Sequence, residues 1–233
     1  MEFPITEKFK EFSTITNPNL TEILCMDFYI YDNNGKFSLE VRSKFHEEEF
    51  TALGYDSPEK KYLDILNINR FHFHAWLEID GYASQIEFNI EKVYSNLCVL
   101  NFDEKLWFDG QSEEGKALWK TFRSFDSRPE IGDGKMGVFS IQEGVSPPNE
   151  PVIYYIYRAS CWKTNLTFVQ YYEAVPDMMG IADWQLLFTD VSLKDPMVYY
   201  KYDGLKKSLE ALAKAFPDKD YGKYFELLEA RWV

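Results

Sequence analysis

Phe71-His72-Phe73-His74-Ala75-Trp76-Leu77-Glu78-Ile79-Asp80-Gly81 is the stretch on which the fold turns. Phe71, Phe73, Ala75, Leu77 and Ile79 alternate with His72, His74, Trp76, Glu78 and Asp80. A period of two gives a strand one apolar face and one polar face. Asp80-Gly81 offers the positive φ angles of a tight hairpin turn, and residues 82–90 return as a second strand. Two strands cannot close a core alone, so this hairpin needs neighbours.

Working outward, Cys25 to Tyr31 reads as a strand, Asn33-Asn34-Gly35 as a turn, and Phe37, Leu39 and Val41 as the returning apolar face. Asn96 to Phe102 adds a strand to the same antiparallel meander. A short helix fits Glu7 to Phe12. Ser57-Pro58-Glu59 has the cap, proline and carboxylate of a helix start, with Tyr62, Ile65 and Leu66 as its stripe. Ser112 to Phe125 reads as a helix capped by Ser112, with Leu118, Trp119 and Phe122 on one side.

Residues 126–151 are rich in turns, with Met136 to Gln142 a strand inside them and Pro147 to Pro151 a linker or exposed loop. Strands are expected at Val152 to Tyr157, Thr167 to Val175 and Trp184 to Thr189. Leu205, Leu209, Leu212 and Phe216 recur at helical spacing, and Pro217 stops them. Tyr221, Phe225, Leu228 and Trp232 mark a second helix. The expected fold is α+β: a largely antiparallel sheet with a C-terminal helical hairpin packed on it. Residues 1–233 are expected to form one domain, with 126–151 as a loop or weak boundary.

Composition narrows the function. The chain has 233 residues, 45% apolar, with 19 Phe, 16 Tyr and 6 Trp, enough aromatic area to exclude wholesale disorder. No apolar run has the length of a membrane helix. A net charge of −13 opposes unaided nucleic-acid binding, where phosphate contacts dominate affinity. Cys25, Cys98 and Cys161 are scattered and lie in apolar surroundings, which predicts buried reduced thiols. With no basic and apolar leader at Met1, the reading is cytoplasmic.

His72, His74 and Glu78 share one strand face, and two imidazoles with a carboxylate are a ligand set for Zn or Fe. The seven residues resemble part of the first cupin motif, which implies that metal. Leu66 stands where the motif's leading glycine would be, Gly81 comes early, and no His follows His74 for a second motif. The competing reading makes this face the solvent or partner side of the sheet. Gly132-Asp133-Gly134-Lys135-Met136-Gly137 spells a dinucleotide fingerprint, but a strand follows it, so a glycine-rich β-turn is expected. No nucleophile motif is present, and an enzyme is not the first reading.

Tyr154-Tyr155-Ile156-Tyr157, Tyr171-Tyr172 and Tyr199-Tyr200-Lys201-Tyr202 place aromatics on both faces of expected strands. Acidity, the aromatic surplus and the missing catalytic signatures together suggest an interaction module that needs no cofactor. It would bind a basic protein, in the manner of an immunity or inhibitor protein of a bacterial toxin system. Glu47, Glu48, Glu49, Trp76 and Glu78 are the candidate contacts. The alternatives are a metal-dependent enzyme or binding protein using His72, His74 and Glu78, and a sugar-binding module using exposed Tyr and Trp.

Overall fold

A computed structural model of the chain describes residues 8–9, 11–12, 14–26, 70–91, 112–128, 131–140, 152–157 and 160–233. Among these, strands β1 (Leu20–Met26), β2 (Arg70–Ile79), β3 (Tyr82–Glu91), β4 (Phe122–Ser127), β5 (Lys135–Ser140), β6 (Val152–Tyr157) and β7 (Ser160–Lys163) form one antiparallel sheet in chain order. Helices α1 (Glu113–Lys120), α2 (Phe168–Met178), α3 (Tyr202–Ala215) and α4 (Gly222–Arg231) complete the α+β architecture.

The β2–β3 hairpin is as the alternation requires. Pairing runs without a break from Arg70↔Glu91 to Ile79↔Tyr82, and Asp80 and Gly81 take φ of 50° and 79° in the turn. Phe71, Phe73, Ala75 and Leu77 are fully buried, and Ile86, Phe88 and Ile90 face them from β3. Phe9 and Phe12, from a helical segment near residue 10, set their rings edge-on to Phe71 and Phe73 at 5.4 and 4.9 Å. Such rings bury large area in specific geometry, which is how so aromatic a chain fills its core.

The main core lies between the sheet and α2, α3 and α4. The C-terminal hairpin is tied down at its joints. Asn17 donates to the Ala215 carbonyl at the end of α3 (2.7 Å), and Tyr82 and Ser208 share a hydroxyl hydrogen bond (2.7 Å). A second, smaller core of Trp119, Phe122, Val138 and Ile156 covers the other face under α1. Both faces of the sheet are thus covered, and the tyrosines of β6 divide accordingly: Tyr155 is buried in the main core, and Tyr154 packs on the second.

Four expected elements change type or extent. Thr167 to Val175 is not a strand but the cap and body of α2. The Thr167 hydroxyl accepts from the Gln170 amide, the Gln170 side chain accepts from the Thr167 amide, and this reciprocal cap starts the helix. Trp184 to Phe188 is a 3-10 turn rather than a strand. The helix capped by Ser112 stops at Lys120, and Phe122 opens β4, where it fills the second core. The strand expected from Cys25 begins earlier, at Leu20, and β7 had no counterpart in the reading of the sequence. The glycine-rich stretch is a turn into β5, with positive φ at Gly132 and Gly134. The Asn33-Asn34-Gly35 hairpin, the helix opening at Ser57, the strand at Asn96 to Phe102 and Pro147 to Pro151 lie outside the described residues. Cys25 and Cys161 are half-buried thiols against the two cores, and Cys98 is outside the described residues.

After α2 the chain turns left-handed at Met179 and Gly180, with φ of 50° and 70°. There the Gly180 carbonyl accepts from the Glu87 amide of β3 (3.1 Å). A Cβ at Gly180 would overlap the Glu87 carbonyl, so only glycine permits the approach. Gly180→Ala is expected to cost about 2 kcal/mol or more, from the positive φ and the overlap together. Denaturant unfolding checks it; unchanged stability would show that this close approach is dispensable.

Candidate functional site

The polar face of β2 does not open to solvent along its whole length. His72 is fully buried, and its Nε2 lies 2.7 Å from Oε1 of Glu87 on β3, itself buried. The expectation of a solvent- or partner-facing imidazole at His72 is therefore corrected: the diagonal carboxylate closes over the ring. His74 and Trp76 are half-buried, and Glu78 is exposed and accepts from the Thr21 hydroxyl at 3.2 Å. Buried His72 Nδ1 and His74 Nε2 have no hydrogen-bond partner among the described residues. Among the described residues no three His, Cys, Asp or Glu are grouped to hold a metal ion, and the carboxylate brought to His72 is Glu87, not Glu78. Glu47, Glu48 and Glu49 lie outside the described residues.

The polar centre of the molecule is a split in the sheet. β3 meets β4 at Asn89↔Ser127 and Ile90↔Asp126. Nearer the Asp80 turn, β3 is met instead by the Gly180 carbonyl and by Arg128, which donates to the Gln85 carbonyl at 3.4 Å. The Glu87 carboxylate also accepts from the Ile131 amide (2.9 Å). Backbone groups left unpaired where two strands part must find partners, and these segments supply them.

A bulge between Ser124 and Asp126 aims the next group inward. Phe125 joins the main core, and the adjacent Asp126 is also buried, accepting from the Tyr171 hydroxyl of α2 at 2.7 Å. Tyr171 reaches it across Gly137 on β5, where a Cβ would overlap the phenol oxygen. Gln185 donates to that same oxygen at 2.9 Å. Burial pushes the Asp126 carboxyl up to about 7, against the opposing pull of the Tyr171 hydrogen bond.

Beside it runs a chain of ion pairs. Asp133 meets Arg128 at 3.0 Å and Lys135 at 2.9 Å; Asp183 meets Lys135 at 3.3 Å and Lys201 at 3.0 Å. Tyr155 donates to Asp183 at 2.6 Å. Burial pushes Asp133 up, but Arg128 and Lys135 more than offset it and hold the carboxyl below its usual range. Burial and then Asp183 push the Tyr155 phenol well above its own. The cavity enclosed here, about 10 Å³, has room for one water. The charges pair with one another, while the buried Arg128 Nε has no hydrogen-bond partner among the described residues, and the cluster clamps the sheet and its turns to Lys201, just before α3. Reading the sequence missed it, because its members come from separate segments; the one local signal was the Asp133 and Lys135 of the glycine-rich turn.

Two surface features remain. Met197, Tyr199 and Tyr200 are 61%, 57% and 51% exposed, unusual for large apolar groups. They are nonetheless held: Asp195 accepts from the Met197 and Tyr199 amides at 2.8 Å each, Val198 is buried, and Lys201 sits under the Tyr200 ring at 4.9 Å. Elsewhere α2 and α4 border an open groove of about 760 Å³. Comparisons with protein-family models, curated proteins and solved structures return no match.

The folded chain keeps the Asp126 proton until about pH 7, whereas an unburied carboxyl of this kind releases it near 3.8. Between those values the folded state binds more protons, so this group's contribution to stability is largest below pH 4 and is lost as pH rises to 7. Asp126→Asn should remove that loss, which is on the order of a few kcal/mol. Denaturant unfolding of both proteins at pH 4.5 and 7.5 measures it. An identical pH slope for the two would mean that Asp126 does not titrate in this window.

Proposed function

We propose that this chain is an acidic protein-interaction module that binds a basic protein partner, in the manner of an immunity or inhibitor protein. The observation that carries the reading is the exposed trio Met197, Tyr199 and Tyr200, on a backbone held by Asp195. Tyr and Met are enriched at the centres of protein interfaces, and a pre-ordered aromatic costs less entropy to bind. Tyr199 and Tyr200 stand at 87° to each other, one ring's edge to the other's face. That suits a shaped protein surface better than the flat platform a sugar ring prefers.

Charge supports the same reading. Residues 190–233 contain eight acids and eight bases, so the net charge of −13 lies wholly in residues 1–189. A basic partner would be steered by that acidic body and retained by the aromatic trio, a division seen generally between association and dissociation rates. Trp76 and Glu78, with Glu47, Glu48 and Glu49, are proposed as further contacts on the acidic side. Among the described residues no helix is long and apolar enough to cross a membrane; a cytoplasmic setting remains part of the proposal.

The tagged chain would be used to capture partners from its native cells at low salt, followed by a salt step. A basic protein should be released. The double substitution Tyr199→Ala and Tyr200→Ala should weaken that complex by at least about thirtyfold, the scale of interface hot spots, with little change in thermal stability because both rings are exposed. Trp76→Ala with Glu78→Lys forms the parallel test of the sheet face. Retention of no basic protein, or an association rate indifferent to salt, would overturn the reading.

A further inference from the structure

The groove between α2 and α4 has a built pattern. Gln170, Glu173, Ala174 and Asp177 line it from α2 at successive helical turns, and Lys223, Leu227 and Ala230 do so from α4. Half-buried Leu166, Phe188 and Leu227 form an apolar floor, and the small Ala174 and Ala230 keep it wide. Among the described residues the groove opens to solvent, unlike a small-molecule pocket that encloses most of its ligand. Lining residues at helical spacing on two neighbouring helices, above an apolar floor, make a groove that a third helix can pack into.

The charges select among helices. Asp177 is engaged internally, accepting from Lys223 at 3.2 Å and from the Tyr224 hydroxyl at 2.8 Å. Glu173 on α2 and Glu226 on α4 have no ion-pair partner among the described residues, and one stands on each side of the groove. Lys8 is the one lining cation without such a partner among those residues. A second copy of this chain would bring another −13 to the surface, so self-association is disfavoured.

The geometry points to the α2–α4 groove as the docking site for an amphipathic helix of the basic partner protein. Its apolar stripe would lie on Leu166, Phe188 and Leu227, with Lys or Arg reaching Glu173 and Glu226. The length of α2, 11 residues, matches about three turns of such a helix, hence anchors at i, i+3 or i+4, and i+7. This inference rests on the protein-binding reading but uses a surface other than Tyr199 and Tyr200.

The probe is a labelled synthetic helix of about 15 residues with leucines on one stripe and lysines elsewhere, compared with a leucine–glutamate version. Anisotropy with the full chain should show micromolar binding of the lysine helix and at least about tenfold weaker binding of the glutamate helix. Glu173→Lys with Glu226→Lys should weaken the lysine helix by about tenfold or more, as should Ala230→Trp, which fills the groove from an exposed position. Tyr199→Ala with Tyr200→Ala should not change it. Binding of the lysine helix that survives both groove variants, or no binding below about 1 mM, overturns the inference. A native basic partner that is lost with the tyrosine variant and kept with both groove variants would also overturn it, while leaving the protein-binding reading standing. Loss of that partner with the groove variants supports it.

Discussion

Where β3 and β4 part, amides and carbonyls inside a sheet lose their neighbours, and the rest of the molecule is arranged around satisfying them. The turn after α2 brings the Gly180 carbonyl to the Glu87 amide, which fixes the end of α2 against the sheet. Because α2 is fixed there, Tyr171 can cross Gly137 to Asp126, and Trp184 and Gln185 close the space beyond it. The bulge at Phe125 answers the same demand from β4: it sends the aromatic into the core and keeps the next carboxyl within reach of the Asn89 amide, at 3.4 Å. One unpaired stretch of strand thus accounts for a left-handed turn, a bulge and a glycine.

Charge is tolerated in this gap because it is paired in series. Each aspartate has two cations, so removing one base leaves it paired, whereas removing Asp133 strands Arg128 and removing Asp183 strands Lys201, each largely buried, which costs more than the pair contributes. The arrangement specifies geometry more than it adds stability. Asp183 shows this directly: it holds a left-handed φ of 65° that a free aspartate would abandon, and it accepts from two lysines and a tyrosine there.

The parts of this fold that were legible in the sequence have a face turned to water. β2 alternates because its polar side had to differ from its core side, and α3 shows Leu205, Leu209 and Leu212 against an exposed side with Pro217 to end it. α2 was read as a strand because it is buried nearly all round. Phe168, Val169, Tyr171, Tyr172, Ala174 and Val175 are all inside, so only the narrow polar line of Gln170, Glu173 and Asp177 marks the helical period, and β-branched and aromatic residues mimic a strand. The reciprocal cap of Thr167 and Gln170 was the local sign of a helix. His72 was misplaced for a related reason. Its parity along β2 was right, but it is buried and its partner is Glu87, fifteen residues away, and a cross-strand diagonal cannot be read before the register is known. The ionic chain was illegible beyond Asp133 and Lys135, since turns and strands far apart in sequence contribute the rest.

The clamp and the exposed aromatics are mechanically one object, and this is what joins the fold to the proposed function. Lys201 lies against Tyr157 at 4.2 Å, pairs with Asp183, and supports Tyr200 from beneath at 4.9 Å. The buried charges therefore fix the position of a surface ring. A tyrosine so held has already lost much of the freedom that binding would otherwise remove, so more of its contact energy is expressed as affinity. A flexible loop carrying the same residues would present the same area and bind less tightly. The acidic charge acts at longer range, where precise placement matters little, and it lies in a different part of the chain. Long-range attraction raises the rate of encounter and rigid contact lowers the rate of escape. In the proposed reading, substitution at Tyr199 and Tyr200 would change the strength of the complex without changing how a basic partner arrives, because residues 190–233 carry no net charge and residues 1–189 carry all of it.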